Sequence, residues 1–116
     1  MTEILGDLIE CGVNIYNPVQ ISANNMAPEM LKERFGKNIV FHGGVYDAVK
    51  FRGEPSPDVI YESVKANIRT FSKNGGYLFA GVHNLPPDIP EAHLEAMLSA
   101  YRDCCRESSL LTAGTI

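Results

Sequence analysis

The chain has 116 residues, 45% hydrophobic and 9% aromatic, with ten Lys and Arg against fourteen Asp and Glu for a formal charge of −4. That length suits one domain, and the mild acidity argues against nucleic acid, whose phosphates are met by clustered Lys and Arg. Gly and Pro usage is near average, which excludes collagenous and low-complexity structure; no apolar run approaches the ~20 residues of a membrane span or the pattern of a signal peptide, so the cytoplasm is the expected location.

The first helix is expected from Thr2, as N-cap, through Ile4, Leu5, Leu8 and Ile9 to Gly12, a left-handed C-terminal stop. Residues 13–16 read as a strand, which Pro18 ends because proline has no N–H to give the ladder. Pro28 opens a second helix with Leu31 and Phe35 on one side and Gly36 as its stop. Residues 38–42 form the next expected strand, closed by Gly43-Gly44, and a loop of about a dozen residues leads to the helix signal Ser56-Pro57-Asp58. Ile60, Val64, Ile68 and Phe71 then recur at spacings of four, four and three, which puts them on one helical face suited to covering a sheet.

After Gly75-Gly76, the apolar residues 77–80 lack alternation and read as a strand buried on both sides. Pro86, Pro87 and Pro90 make a rigid turn, and Pro90-Glu91 opens a last helix with Leu94, Met97, Leu98 and Tyr101 inward. Residues 108–116 are expected to be loosely held. The expected architecture is α/β: a leading helix followed by three strand-helix units, in a single domain over residues 1–116. The expected strands start 25 and 39 residues apart without sequence repetition. In parallel arrangements of this kind ligands meet the carboxyl ends of the strands, where the variable polar loops gather.

Those ends carry Asn17 and Gln20 after the first strand, His42 after the second, and His83 with Asn84 after the third. Imidazole can be a metal ligand, a general acid or an oriented hydrogen-bond donor, and spacing alone does not choose among these for His83. Asn17 and Gln20 can orient a ligand, or Asn17 can satisfy backbone groups at the strand end. Gly43 and Gly44, without side chains, can admit a ligand close to backbone N–H groups or can make a tight turn. Neither GxxxxGK[ST] nor GxGxxG occurs.

In the loop 45–53, Lys50 and Arg52 could hold an anionic ligand, or the stretch could be a solvated loop anchored by Phe51. His93 falls inside the last helix and is expected to be an exposed or half-buried bystander. Lys65, Arg69 and Lys73 read as the wet side of the third helix. Cys11, Cys104 and Cys105 cannot all pair and have no metal-ligand spacing, so free thiols are expected.

Asn17-Pro18-Val19-Gln20, then Phe41-His42-Gly43-Gly44, then Gly75-Gly76-Tyr77-Leu78-Phe79-Ala80-Gly81-Val82-His83-Asn84-Leu85, followed by Pro90-Glu91 and Leu94-Glu95-Ala96-Met97, resemble in order and spacing the carboxyl-terminal part of the uroporphyrinogen decarboxylase family. The resemblance runs from the first helix to about Tyr101. It implies part of a (β/α)8 TIM barrel, the last three strands with their helices, and a tetrapyrrole-like small-molecule substrate; charge and hydropathy give no expectation of nucleic acid or membrane as partner. One branch of the family decarboxylates the acetate side chains of uroporphyrinogen in haem biosynthesis without cofactor. For that branch the resemblance implies His83 as the catalytic, substrate-facing residue, with His42, Asn17, Gln20, Asn84, Gly43 and Gly44 lining the substrate pocket. The sequence departs from that branch in having Gly43-Gly44 where Gly-Asn is usual, and in lacking Gly-His-Gly around His83.

The other branch comprises zinc-dependent methyltransferases with a corrinoid methyl donor, and there the resemblance implies His83 as a zinc ligand. Their His-x-Cys pair is absent from this sequence, as are the arginines and aspartate of the decarboxylases, so the chain alone is expected to be inactive and to hold no metal. A non-catalytic half-barrel interaction module is a third reading. Three parallel strands cannot close a barrel of about 250 residues. Association is therefore expected, with a second copy or with a chain supplying the missing strands.

Overall fold

In the computed structural model, residues 2–48, 50–53, 56–82 and 85–115 are described, with side chains described through residue 107. Helices α1 (Thr2–Glu10), α2 (Pro28–Phe35), α3 (Pro57–Ser72) and α4 (Glu91–Thr115) alternate with strands β1 (Ile15–Tyr16), β2 (Val40–His42) and β3 (Tyr77–Leu78). The strands form one sheet in the order β1-β2-β3, with both pairs parallel. This is the expected helix followed by three β-α units. No helix among the described residues is long and apolar enough to cross a membrane.

Local chemistry sets the helix boundaries. Gly12 takes a left-handed φ of +101° just beyond α1, the conformation that ends helices most cheaply at glycine. Pro28 and Pro57 occupy the first positions of α2 and α3, where a missing N–H costs nothing. Gly36 follows α2 in a right-handed conformation, its N–H reaching Lys32 O.

Register decides which side chains meet the helices. Tyr16, Phe41 and Tyr77 lie abreast across the sheet, as do Ile15 with Val40 and His42 with Leu78. Neighbouring residues of a strand point to opposite faces. The Tyr16–Phe41–Tyr77 row packs against Leu5 of α1, Leu31 and Phe35 of α2, and Phe71 of α3. The Phe71 ring lies tilted against Phe41 at 5.4 Å and stacks on Tyr77 at 5.2 Å. A second core joins Ile60, Val64 and Ile68 of α3 to Ala96, Met97 and Ala100 of α4, with Val45, Tyr46 and Phe51 at one end. The four-residue stripe predicted on α3 is buried throughout.

All four helices thus lie over one face of the sheet, and the molecule is only 20 Å thick along its short axis, the depth of two layers. The opposite face is open, with Ile15 51% and Leu78 44% exposed. That corrects the expectation for residues 77–80: the strand proper ends at Leu78 and is covered on one side only. The other strands are also shorter than predicted, starting at Ile15 and Val40.

The last helix shows the largest differences. Its buried stripe is His93, Ala96, Met97 and Ala100. Of the residues predicted inward, only Met97 is fully buried; Leu98 and Tyr101 are exposed at the surface and Tyr101 stacks on Phe79 at 4.3 Å. The helix backbone continues through Thr115 rather than loosening at Ser108. Lys65 and Arg69 are not a merely wet face, because both reach Glu107 of α4, at 3.2 and 3.0 Å. The three cysteines are free thiols, as expected.

Candidate functional site at the carboxyl ends of the strands

The loops at the carboxyl ends of β1 and β2, and the described part of the loop after β3, converge and bond to one another. Asn17 follows β1 directly, and its amide Nδ2 donates to the carbonyl of His42 at the end of β2, at 3.1 Å. The His42 side chain lies on the open face beside Leu78, half-buried. Gln20 donates from Nε2 to the Ser22 hydroxyl at 3.4 Å. Ser22 in turn donates to the carboxylate of Asp47, which is 2% exposed and also accepts from the Lys50 N–H at 3.3 Å.

Gly43 and Gly44 are spent on joining loops. The Gly43 N–H donates to Leu78 O at 3.0 Å, and that of Gly44 to Gly81 O at 3.4 Å. Val45 N–H then reaches Ala80 O at 3.2 Å, and Val82 N–H returns to Tyr46 O at 2.9 Å. Gly43 has φ +100°, and a Cβ there would stand 2.6 Å from the Gly81 carbonyl oxygen. Glycine is required at this point by the approach of chain to chain, whatever else the glycines line. Tyr77 bridges the same place from the helix side, its hydroxyl donating to Gly43 O at 2.7 Å. Burial pushes the Tyr77 phenol well above its ordinary value.

A buried polar pair supports this floor. Tyr46 and His93 are each 3% exposed, and the Tyr46 hydroxyl lies 3.0 Å from His93 Nδ1. His93 is therefore a core residue tying α4 to the loop after β2, not a bystander. Burial, and then the negative charge of Asp88, raise the Tyr46 phenol. The loop 45–53 is anchored by Phe51, as one of its two readings had it, but Val45, Tyr46 and Asp47 are buried as well while Lys50 and Arg52 stay exposed.

Of the residues predicted for the site, Asn17, Gln20, His42, Gly43 and Gly44 come together at one end of the sheet. His83 and Asn84 lie outside the described residues. Sequence reasoning did not assign Ser22, Tyr77, Asp47 or the Tyr46–His93 pair. Asp47 had one usable signal, since an Asp side chain at the head of a short loop readily accepts a backbone N–H of its own turn. Among the described residues, no three His, Cys, Asp or Glu side chains gather as a metal site.

No family model, curated protein or solved structure matches this chain.

Proposed function

We propose that the chain is part of a (β/α)8-barrel enzyme of the uroporphyrinogen decarboxylase type, acting on a tetrapyrrole-like substrate held at the carboxyl ends of its strands. The observation that carries this reading is the consecutive parallel order β1-β2-β3 with every helix over one face. A doubly wound sheet places helices on both faces and reverses its strand order at the ligand crevice. A barrel wall keeps sequential order and covers only its outside. In that reading the open face with Ile15, Val40, His42 and Leu78 is the inner wall, which side chains from further strands fill.

His83, the residue that follows the clamped segment 80–82, is the substrate-facing catalytic residue in this proposal. Asn17, Gln20, Asn84 and His42 line the pocket with Gly43 and Gly44. The bonds from Gly43, Gly44 and Tyr46 to Leu78, Gly81 and Val82 fix the backbone leading to His83, which is what orientation of a catalytic group requires. The reaction of the decarboxylase branch needs no cofactor. The zinc of the methyltransferase branch would need ligands beyond His83; among the described residues no three His, Cys, Asp or Glu side chains gather.

The test is turnover of uroporphyrinogen by a barrel reconstituted from this chain and a chain supplying the remaining strands, with metal analysis of the assembly. His83→Ala is expected to abolish most of the activity, and the chain alone to have none. Near-normal turnover in the variant would refute the assignment of His83. Stoichiometric zinc, with methyl transfer in place of decarboxylation, would move the chain to the other branch.

A further inference from the structure

The loops at the carboxyl ends of the strands, residues 17–27, 43–56 and 79–90, contain two cationic side chains, Lys50 and Arg52. Both flank Phe51, whose ring is buried in the α3–α4 core. The turn that displays them is held at several points. Phe51 N–H donates to Asp47 O at 3.0 Å, closing a turn of helical spacing. The buried Asp47 carboxylate takes the Lys50 N–H and the Ser22 hydroxyl, which fastens the turn to the loop after β1. The Lys50 ammonium stands 5.6 Å from the centroid of the Phe51 ring.

Among the described residues, the ion pairs join Lys65 and Arg69 to Glu107 and Arg106 to Asp103, all on α3 and α4. Lys50 and Arg52 belong to none of them. The helix N-termini at the same end already carry their own acids, Glu29, Asp58 and Glu91, and so are not the anion-seeking groups here. A buried carboxylate and a buried ring that fix the backbone of an exposed Lys-x-Arg segment reduce the ordering cost of binding, the usual benefit of preorganisation.

We propose that Lys50 and Arg52 form an oxyanion-binding rim at the carboxyl end of the sheet, taking a small molecule with two or more carboxylate or phosphate groups. Arg52 supplies a planar fork that can grip one group in bidentate fashion, and Lys50 a mobile point charge for a second. The rim stands whether or not the barrel reading holds.

The test is calorimetric titration of the chain with benzenehexacarboxylate and, separately, inositol hexakisphosphate, at low salt and at ~0.15 M salt. The double variant Lys50→Gln with Arg52→Gln is expected to bind about tenfold more weakly, and its binding to depend less on salt. The control Lys37→Gln with Lys73→Gln removes two cations from the 670 Å³ groove between α2 and α3 at the other end of the strands. It is expected to stay within about twofold of the native chain. Tighter binding of either probe by the native chain supports the rim and identifies its oxyanion. The proposal is overturned by unchanged affinity in the Lys50 and Arg52 variant, by an equal loss in the control, or by failure of both probes to saturate below ~10 mM.

Discussion

At the scale of single residues, the buried hydroxyl of Tyr46 and the ring of His93 do for the strand-end loops what apolar packing cannot. They fix one orientation, because a hydrogen bond has direction and a methyl contact has none. The cost of such a pair falls on whichever partner is removed alone. Tyr46→Phe leaves His93 Nδ1 without the hydroxyl 3.0 Å away in a site closed to water. The expected loss is about 1–3 kcal/mol, read as a lower urea midpoint with an unchanged slope. Of the candidate site, the residue types were legible at the strand ends: Asn17 does satisfy the carbonyl of His42, as one of its two readings held. The Ser22 partner of Asp47 was not legible, since it lies 25 positions away and nothing local pairs the two.

At the scale of elements, α4 explains why a correct helix can carry a wrong inner face. Two apolar stripes share it, one through Ala96, Met97 and Ala100, the other through Leu98 and Tyr101. Helical spacing suggested that Leu94, Met97, Leu98 and Tyr101 turn inward. The structure places the alanines inward because small residues let α4 come close to α3, while Leu98 is exposed and Tyr101 stacks on Phe79 just after β3. By contrast the single apolar stripe of α3 is buried as its spacing predicts, although Lys65 and Arg69 on the same helix are not the wet face expected of them. The same helix pair carries a network in which Tyr61 donates to Asp103 and Lys65 donates to Tyr61, while Glu107 accepts from Arg69 and pairs with Lys65.

That network makes the α3–α4 contact sensitive to acid. Hydrogen bonds from Arg69 and then Lys65 hold the Glu107 carboxyl below its ordinary value. A carboxyl depressed in the folded state stabilises at pH values above its unfolded pKa, and that contribution disappears as pH falls through the folded one. Native protein is expected to melt above Glu107→Gln at neutral pH, with the gap closing on acidification below the ordinary carboxylate range. A gap that is independent of pH would show that Glu107 acts through packing instead. Arg69 and Glu107 are exposed enough for salt to weaken the effect.

At the scale of the whole molecule, a 20 Å slab with helices on one side has an unbalanced surface. Ile15 and Leu78 face outward on the bare side of the sheet, and β1 and β3 each have a strand neighbour on one side only. Open parallel edges beside apolar surface are where another chain adds. The sedimentation mass is therefore expected to rise with concentration, and Ile15→Lys combined with Leu78→Lys to shift the population toward monomer. A monodisperse monomer that unfolds cooperatively would argue against a partner for this face. The α/β class and the parallel pairing were readable because helical patterns alternate with short strands; the bare face was not, because residues 77–80 are apolar whether they are covered once or twice.

The sequential strand order bears on how the chain is made as well as how it is held. Each later strand adds beside the one synthesised before it, so no segment has to thread past another already in place. As β2 leaves the ribosome its partner β1 is present, with α1 and α2 able to close over both. The loop of Gly43 and Gly44 must then remain unmatched until Leu78 and Gly81 arrive. The strand ends, which carry the candidate chemistry, are thus the last part of the sheet that a growing chain can complete.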